Sequence, residues 1–133
     1  MRVLVTGPRD WPSPHQVRKV LSDLYDVTNK TFELVHGACP TGVDAFADAW
    51  GRELGDVWVE SYPAHLFGKW PQCGPIRNEH MVSLGADLCV AFVAPCTRQW
   101  CRKPQPHNSH GTENCIKFAD AALIPVERIA LAA

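Results

Sequence analysis

Four residues with metal-ligating side chains fall within one short stretch: Cys96, Cys101, His107 and His110, with gaps of four, five and two residues. Two thiolates and two imidazoles suit a tetrahedral structural Zn²⁺. The spacing is not that of a standard zinc finger, and Pro95, Pro104 and Pro106 would stiffen the segment without a metal. Two readings stay open, a zinc-holding loop and an ordinary solvent-exposed loop, with His110 also placed to serve a ligand. Cys39 and Cys73 fall in loops, and Cys89 and Cys115 read as small buried hydrophobes. None has an evident base beside it, so a thiol nucleophile is not expected.

A second set of residues suits anion binding. In Thr6-Gly7-Pro8-Arg9-Asp10-Trp11, Gly7 lets backbone approach a ligand and Arg9 offers a planar fork for phosphate. Trp11 could stack on a flat ring, or the segment is an ordinary turn with an exposed Arg. Gly37 and Gly42 flank a helix start with the Thr41 hydroxyl between them, a plausible cradle at a positive dipole end. Asp44 could hold a ribose hydroxyl or cap that helix. Ser109, Gly111 and Thr112 open a further helix, after a loop carrying Arg98, Arg102 and Lys103. Neither GxGxxG nor a Walker A loop is present. His36 could point at a ligand, whereas His80 reads as a core histidine. His65, Phe67 and Trp70 could cover a base or pack against a second subunit.

The elements that must position these residues alternate along the chain. RVLVTG (2–7), FELVHG (32–37), DVWVES (56–61), DLCVAFV (87–93) and ALIPV (122–126) are near-continuous apolar runs, as in strands buried on both faces. Ser13 as N-cap, Pro14 at the first helical position and Gln16 completing a capping box predict a helix start, followed by a Val17, Val20, Leu21, Leu24 stripe. A second helix is predicted from near Thr41, with Asp44 as a shortened capping-box partner. Its inward residues would be Phe46, Ala49, Trp50 and Leu54, with Gly55 as the stop. A third would carry Ile76, His80, Met81 and Leu84 on one side, and a fourth would begin around Gly111–Thr112. The tail ERIALAA gives no signal. This order predicts an α/β fold, a Rossmann-like three-layer sandwich with a mainly parallel five-stranded sheet. Ligands of such sheets sit beyond the carboxyl ends of the strands.

Composition narrows the function classes. The chain has 133 residues, 46% of them hydrophobic, enough for one compact domain with a real core. A formal net charge of -1 argues against coating nucleic acid or an anionic membrane. No apolar run approaches a membrane span, and a cytoplasmic location with reduced thiols is expected.

Five segments together, VTGPRDW, HGACPTGVDAFADAW, GPIRNEHMV, DLCVAF and SHGTENC, resemble the YspA-type branch of the SLOG superfamily, whose relatives include the LOG phosphoribohydrolases and Smf/DprA. The resemblance covers nearly the whole chain. It implies one Rossmann-like domain over 1–133 with a loop insertion at 95–110. It also implies a nucleotide or nucleotide-derived ligand, a homodimer, and a bacterial or phage setting. The ligand would meet Thr6, Gly7, Arg9, Trp11, Gly37, Thr41, Gly42, Asp44, Arg77, Asn78, Ser109, Gly111 and Thr112. LOG enzymes cleave the N-glycosidic bond of nucleoside monophosphates with an Arg and a Glu pair. Arg77 falls at that Arg, while Asn114 and Cys115 stand where the Glu pair would be. The nearest carboxylate, Glu113, is one step early, and Glu79 is a substitute. An enzyme would therefore rest on Arg77 with Glu79 or Glu113, and binding without turnover is the leading expectation. Single-stranded DNA binding, by analogy with DprA, is disfavoured by the charge balance.

Overall fold

A computed structural model describes residues 1–29 and 31–132. Five strands alternate with four helices: β1 (Arg2–Thr6), α1 (Pro14–Val27), β2 (Glu33–His36), α2 (Gly42–Leu54), β3 (Trp58–Ser61), α3 (Cys73–Ser83), β4 (Leu88–Val93), α4 (His110–Ala121) and β5 (Val126–Ala130), with a 3₁₀ turn at Ala64–Phe67 between β3 and α3. All strand pairings are parallel, in the order β3-β2-β1-β4-β5. This is an α/β, Rossmann-like arrangement.

Strand side chains alternate between the two faces of the sheet, so each face gathers its own core. Val3, Val5, Leu34, Val90 and Phe92 meet Val17 and Leu21 of α1 and Val43, Ala47 and Trp50 of α2. Leu4, Val35 and Cys89 meet Met81 and Val82 of α3 and Cys115 and Ala119 of α4. Cys89 and Cys115 are fully buried, as small apolar residues would be.

The first helix start is capped as predicted, with Ser13 Oγ accepting from the Gln16 N–H at 3.2 Å. Gln16 does not close a capping box, because its side chain reaches the last strand instead. Its Nε2 donates to the Ala130 carbonyl at 2.7 Å. In α2 the buried stripe is Val43, Ala47, Trp50 and Gly51, one step from the predicted one, and Ala49 and Leu54 are exposed. In α3 the inward face is Cys73, Arg77, Asn78, Met81 and Val82, leaving Ile76 and Leu84 half exposed. A stripe chosen by apolarity alone missed it because this helix buries a polar pair.

The fifth strand is also corrected. Ala122 and Leu123 form the turn that closes α4, with Leu123 at φ 62° and the Ala122, Leu123 and Ile124 N–H groups bonded back to the carbonyls of Phe118, Asp120 and Ala119. Ile124 plugs the α3/α4 core. Pairing with β4 begins when the Cys89 N–H donates to the Pro125 carbonyl, and β5 then runs through Glu127 and Arg128. An edge strand keeps one side in solvent, so it lacks the continuous apolar run of a central strand.

Candidate functional site

The strand order reverses between β1 and β4, and a cleft of about 950 Å³ opens beyond their carboxyl ends. That volume is in the range of small-molecule sites. Its walls come from the loops after β1 and β2, the first turns of α3 and α4, and the long loop between β4 and α4. Arg9, Arg77, Arg98, Lys103 and Lys117 line it, against the carboxylates of Asp10, Asp44 and Glu113. A chain with net charge -1 thus concentrates cations in one concave place, which focuses field lines on an anion.

Arg77 and Asn78 form the polar floor. Both are buried. Arg77 Nη1 donates to the Gly37 carbonyl at 2.5 Å and to the Tyr62 carbonyl at 3.2 Å, while its Nε donates to Asn78 Oδ1 at 2.8 Å. The guanidinium therefore ties together the ends of β2 and β3. Asn78 in turn donates through Nδ2 to Asn114 Oδ1 at 2.9 Å and to the Gly111 carbonyl at 3.4 Å, joining α3 to α4. Asp44 sits beside them, its Oδ2 accepting from the Cys39 N–H at 3.2 Å rather than capping through Thr41. Burial pushes the Asp44 carboxyl above its ordinary value, against the pull of His36, the Cys39 N–H and Arg77. Burial, with Asp44 alongside, also raises the Cys39 thiol. That is unsuited to a nucleophile at neutral pH.

The first turn of α4 supplies an unused donor. Thr112 is 2% exposed and lines the cleft, and its Oγ1 has no hydrogen-bond partner among the described residues. Gly111 beside it faces open space. A buried, unpaired hydroxyl costs about 1–3 kcal/mol and calls for a partner. Glu113 on the same turn is engaged by Asn108 Nδ2 and Arg128 Nη1, each at 2.9 Å. Burial alone would raise its carboxyl, but these two donors outweigh it and hold the group below the ordinary range.

Ten of the thirteen expected ligand residues line the cleft: Thr6, Gly7, Arg9, Gly37, Asp44, Arg77, Asn78, Ser109, Gly111 and Thr112. Three do not. Trp11 is 2% exposed and packs edge-on against Phe92 with ring centroids 5.4 Å apart, inside the α1/α2 core. Thr41 is exposed away from the cleft, and Gly42 is buried at φ 73°. A Cβ at Gly42 would collide with the Pro8 carbonyl and the Arg9 backbone, so this glycine lets the β1 loop lie on α2. His36 is likewise turned away. It takes the Ala38 N–H on Nδ1 at 2.9 Å and must therefore donate through Nε2 to Asp48, 2.8 Å away. His80 is half-buried against Tyr62 and Phe67.

Trp70 lines the cleft, whereas Phe67 packs on His80 with centroids 5.1 Å apart. Trp100 is a cleft residue that sequence reasoning missed. It is 60% exposed, stands edge-to-face with Trp70 at 6.4 Å, and carries the Arg98 guanidinium 5.0 Å from its ring centre. Its signal was only a Trp in a basic, Pro-rich loop.

The four metal-type residues do converge. The ligand atoms of Cys96, Cys101, His107 and His110 all lie within 4.8 Å of one another, a group that could hold a metal ion.

Comparison with known proteins places the chain in a family. The family model described as "YspA, cpYpsA-related SLOG family" matches residues 1–65, which hold the β1 and β2 loops. The Gene 61 protein of Mycobacterium phage D29 is 36% identical over 129 residues, spanning 94% of this chain and 93% of that protein. The chain belongs to the YspA, cpYpsA-related SLOG family. No solved structure matches it. Membership in a SLOG family supports a nucleotide-related role at the family level. Among the described residues of this SLOG chain, no helix is long and apolar enough to cross a membrane. Of the two carboxylates offered as substitutes for the LOG glutamates, Glu113 lines the cleft, whereas Glu79 is exposed on α3 and does not. Asn114, where the resemblance puts a glutamate, holds Asn78 instead.

Proposed function

We propose that the cleft binds a nucleotide or nucleotide-derived anion without turning it over. The observation that carries this reading is the buried, unpartnered Thr112 hydroxyl at the N-terminus of α4. A phosphate there would accept from that hydroxyl and from the free N–H groups of the first turn, at the positive end of the helix dipole. Arg9, exposed at the rim, would supply a charge-assisted bond. Arg77 spends Nε and Nη1 on the fold, so it would meet the anion through Nη2. Trp70 and Trp100 would cover the base with aromatic surface.

Isothermal titration with a panel of nucleoside mono-, di- and triphosphates and cyclic nucleotides tests this. Arg9→Ala should weaken the best binder by about 10-fold or more, the loss of one charge-assisted hydrogen bond. No binding across the panel, or an unchanged affinity in the variant, would reject the site.

A second reading has one observation in its favour: Glu113 is a carboxylate of depressed pKa on the cleft wall. In a LOG-like hydrolase it would steady the sugar cation while Arg77 orients phosphate. Its pairing with Arg128 and Asn108 blunts that charge. Chromatography of the same nucleotides for released base decides between the two.

A further inference from the structure

We propose that Cys96, Cys101, His107 and His110 bind one structural Zn²⁺ that staples the 95–108 loop to the first residue of α4. Tetrahedral zinc with bonds of about 2.3 Å to sulfur and 2.0–2.1 Å to nitrogen has S···N edges of roughly 3.6 Å and an N···N edge of roughly 3.4 Å. Four of the six edges are Cys96 Sγ to His110 Nε2 3.7 Å, Cys101 Sγ to His107 Nε2 3.4 Å, Cys101 Sγ to His110 Nε2 3.3 Å, and His107 Nε2 to His110 Nε2 2.9 Å, and all six lie within 4.8 Å. Three of these four edges are shorter than the ideal values, and the four ligand atoms converge on one another.

Protonation chemistry supports a cation at the centre. The other nitrogen of His107, Nδ1, lies 2.8 Å from the Pro104 carbonyl, which can only accept. Nδ1 must therefore carry the proton, which leaves a lone pair on Nε2 aimed into the cluster. A ring N–H given to a backbone carbonyl is the usual support for a metal-bound histidine. All four cysteine and histidine side chains are half-buried, and the cysteines are free thiols. Two thiolates neutralise Zn²⁺, so the loaded site adds no net charge beside the cleft. Two soft and two imidazole ligands select zinc over magnesium or calcium. The set is closed, with no position left for water, which makes the site structural.

The site also explains how the loop can be ordered. Between the β4 end and α4, backbone bonding is sparse. The Cys96 N–H donates to the His107 carbonyl at 2.7 Å, the Ser109 N–H to the Ala94 carbonyl at 2.9 Å, and Pro95 bridges Asn108. These bonds close the base of the loop, and at its far end the described residues add one turn bond, from the Cys101 N–H to the Arg98 carbonyl at 3.2 Å. The ligands come from both arms, from the tip and from α4, so one ion joins what the backbone does not. Trp100 stands edge-to-face on His110 at 6.3 Å, so its place at the cleft depends on that joint.

The test uses full-length protein without a histidine tag, purified without chelator, and needs no nucleotide. Elemental analysis should return about one zinc per chain, falling at least about fivefold in Cys101→Ser and in His107→Ala. Replacement by Co²⁺ should give the visible bands of a tetrahedral ion with thiolate ligands. Trypsin should cut after Arg98 and Arg102 much faster once a strong chelator has removed the metal, with protection regained on adding Zn²⁺. Less than about a tenth of an equivalent that added Zn²⁺ cannot raise would overturn the proposal. So would zinc retained in full by both variants, or trypsin cleavage indifferent to metal.

Discussion

At the residue scale, Thr112 and Arg77 show two ways of burying a polar group at the cleft. Arg77 is satisfied by carbonyls at the ends of β2 and β3 and by Asn78, so the fold depends on it whether or not a ligand is present. Thr112 is not satisfied, and its hydroxyl is a cost carried until something fills the cleft. Replacing it with the isosteric valine should therefore raise the stability of the ligand-free protein by up to about 1 kcal/mol and weaken nucleotide binding roughly 3- to 10-fold. Urea unfolding and titration calorimetry read the two effects separately. A variant that loses stability would show that the hydroxyl has another partner, and one that keeps full affinity would show that the ligand does not meet it. The same contrast explains what was legible. Arg77, Asn78, Gly111 and Thr112 were found from motif and position, but their division between scaffold and ligand depends on distances that a linear string does not contain.

At the element scale, the loop after β2 is held by a small polar relay. Asp48 on α2 accepts from His36 at 2.8 Å and from Arg52 Nε at 2.8 Å, and His36 Nδ1 holds the Ala38 N–H. Burial would raise the Asp48 carboxyl, yet the Arg52 and His36 bonds outweigh it and set the group below its ordinary value. A carboxylate with a depressed folded pKa contributes stability in full above its unfolded pKa and loses it as pH falls through the folded value. Asp48→Asn should remove that part of the acid sensitivity, an effect of about 1 kcal/mol or less for a partly solvated pair. Comparing urea midpoints at neutral and acid pH checks the sign, since the gap between wild type and variant should narrow as pH falls. Helix faces proved harder to read than helix existence. The α3 stripe was misplaced because Arg77 and Asn78 take the inward positions that a search for apolar residues assigns to Ile76 and Leu84. Likewise β5 lay four residues later, where an edge strand rich in polar residues gives no periodic apolar signal.

At the scale of the whole molecule, charge is distributed rather than absent. The net charge of -1 conceals a cleft with Arg9, Arg98 and Lys103 near its mouth and a surface on which many charges pair, as Arg18 with Glu53 and Lys19 with Asp23 do. Nucleotide affinity should accordingly fall as ionic strength rises, since the Debye length shrinks from about 10 Å at 0.1 M to about 3 Å at 1 M. Lys103→Glu should weaken binding and flatten that dependence. A salt-independent affinity would mean that the cleft cations do not meet the ligand.

The sequence by itself determined the alternation of strands and helices, the edge of the sheet where the cleft-lining loops gather, and the family resemblance. Local propensity, glycine and proline placement and apolar runs are short-range properties, and they are written residue by residue. The tertiary structure decided that Trp11 belongs to the core, that Trp100 belongs to the cleft, and that Glu113 rather than Glu79 faces it. It also brought the ligand atoms of Cys96, Cys101, His107 and His110 within 4.8 Å of one another, a group that could hold a metal ion. Convergence of this kind depends on how a loop folds back upon a helix. That is set by packing and hydrogen bonds between distant segments, such as Ala94 with Ser109 and Thr97 with Asp10, rather than by any neighbouring pair of residues.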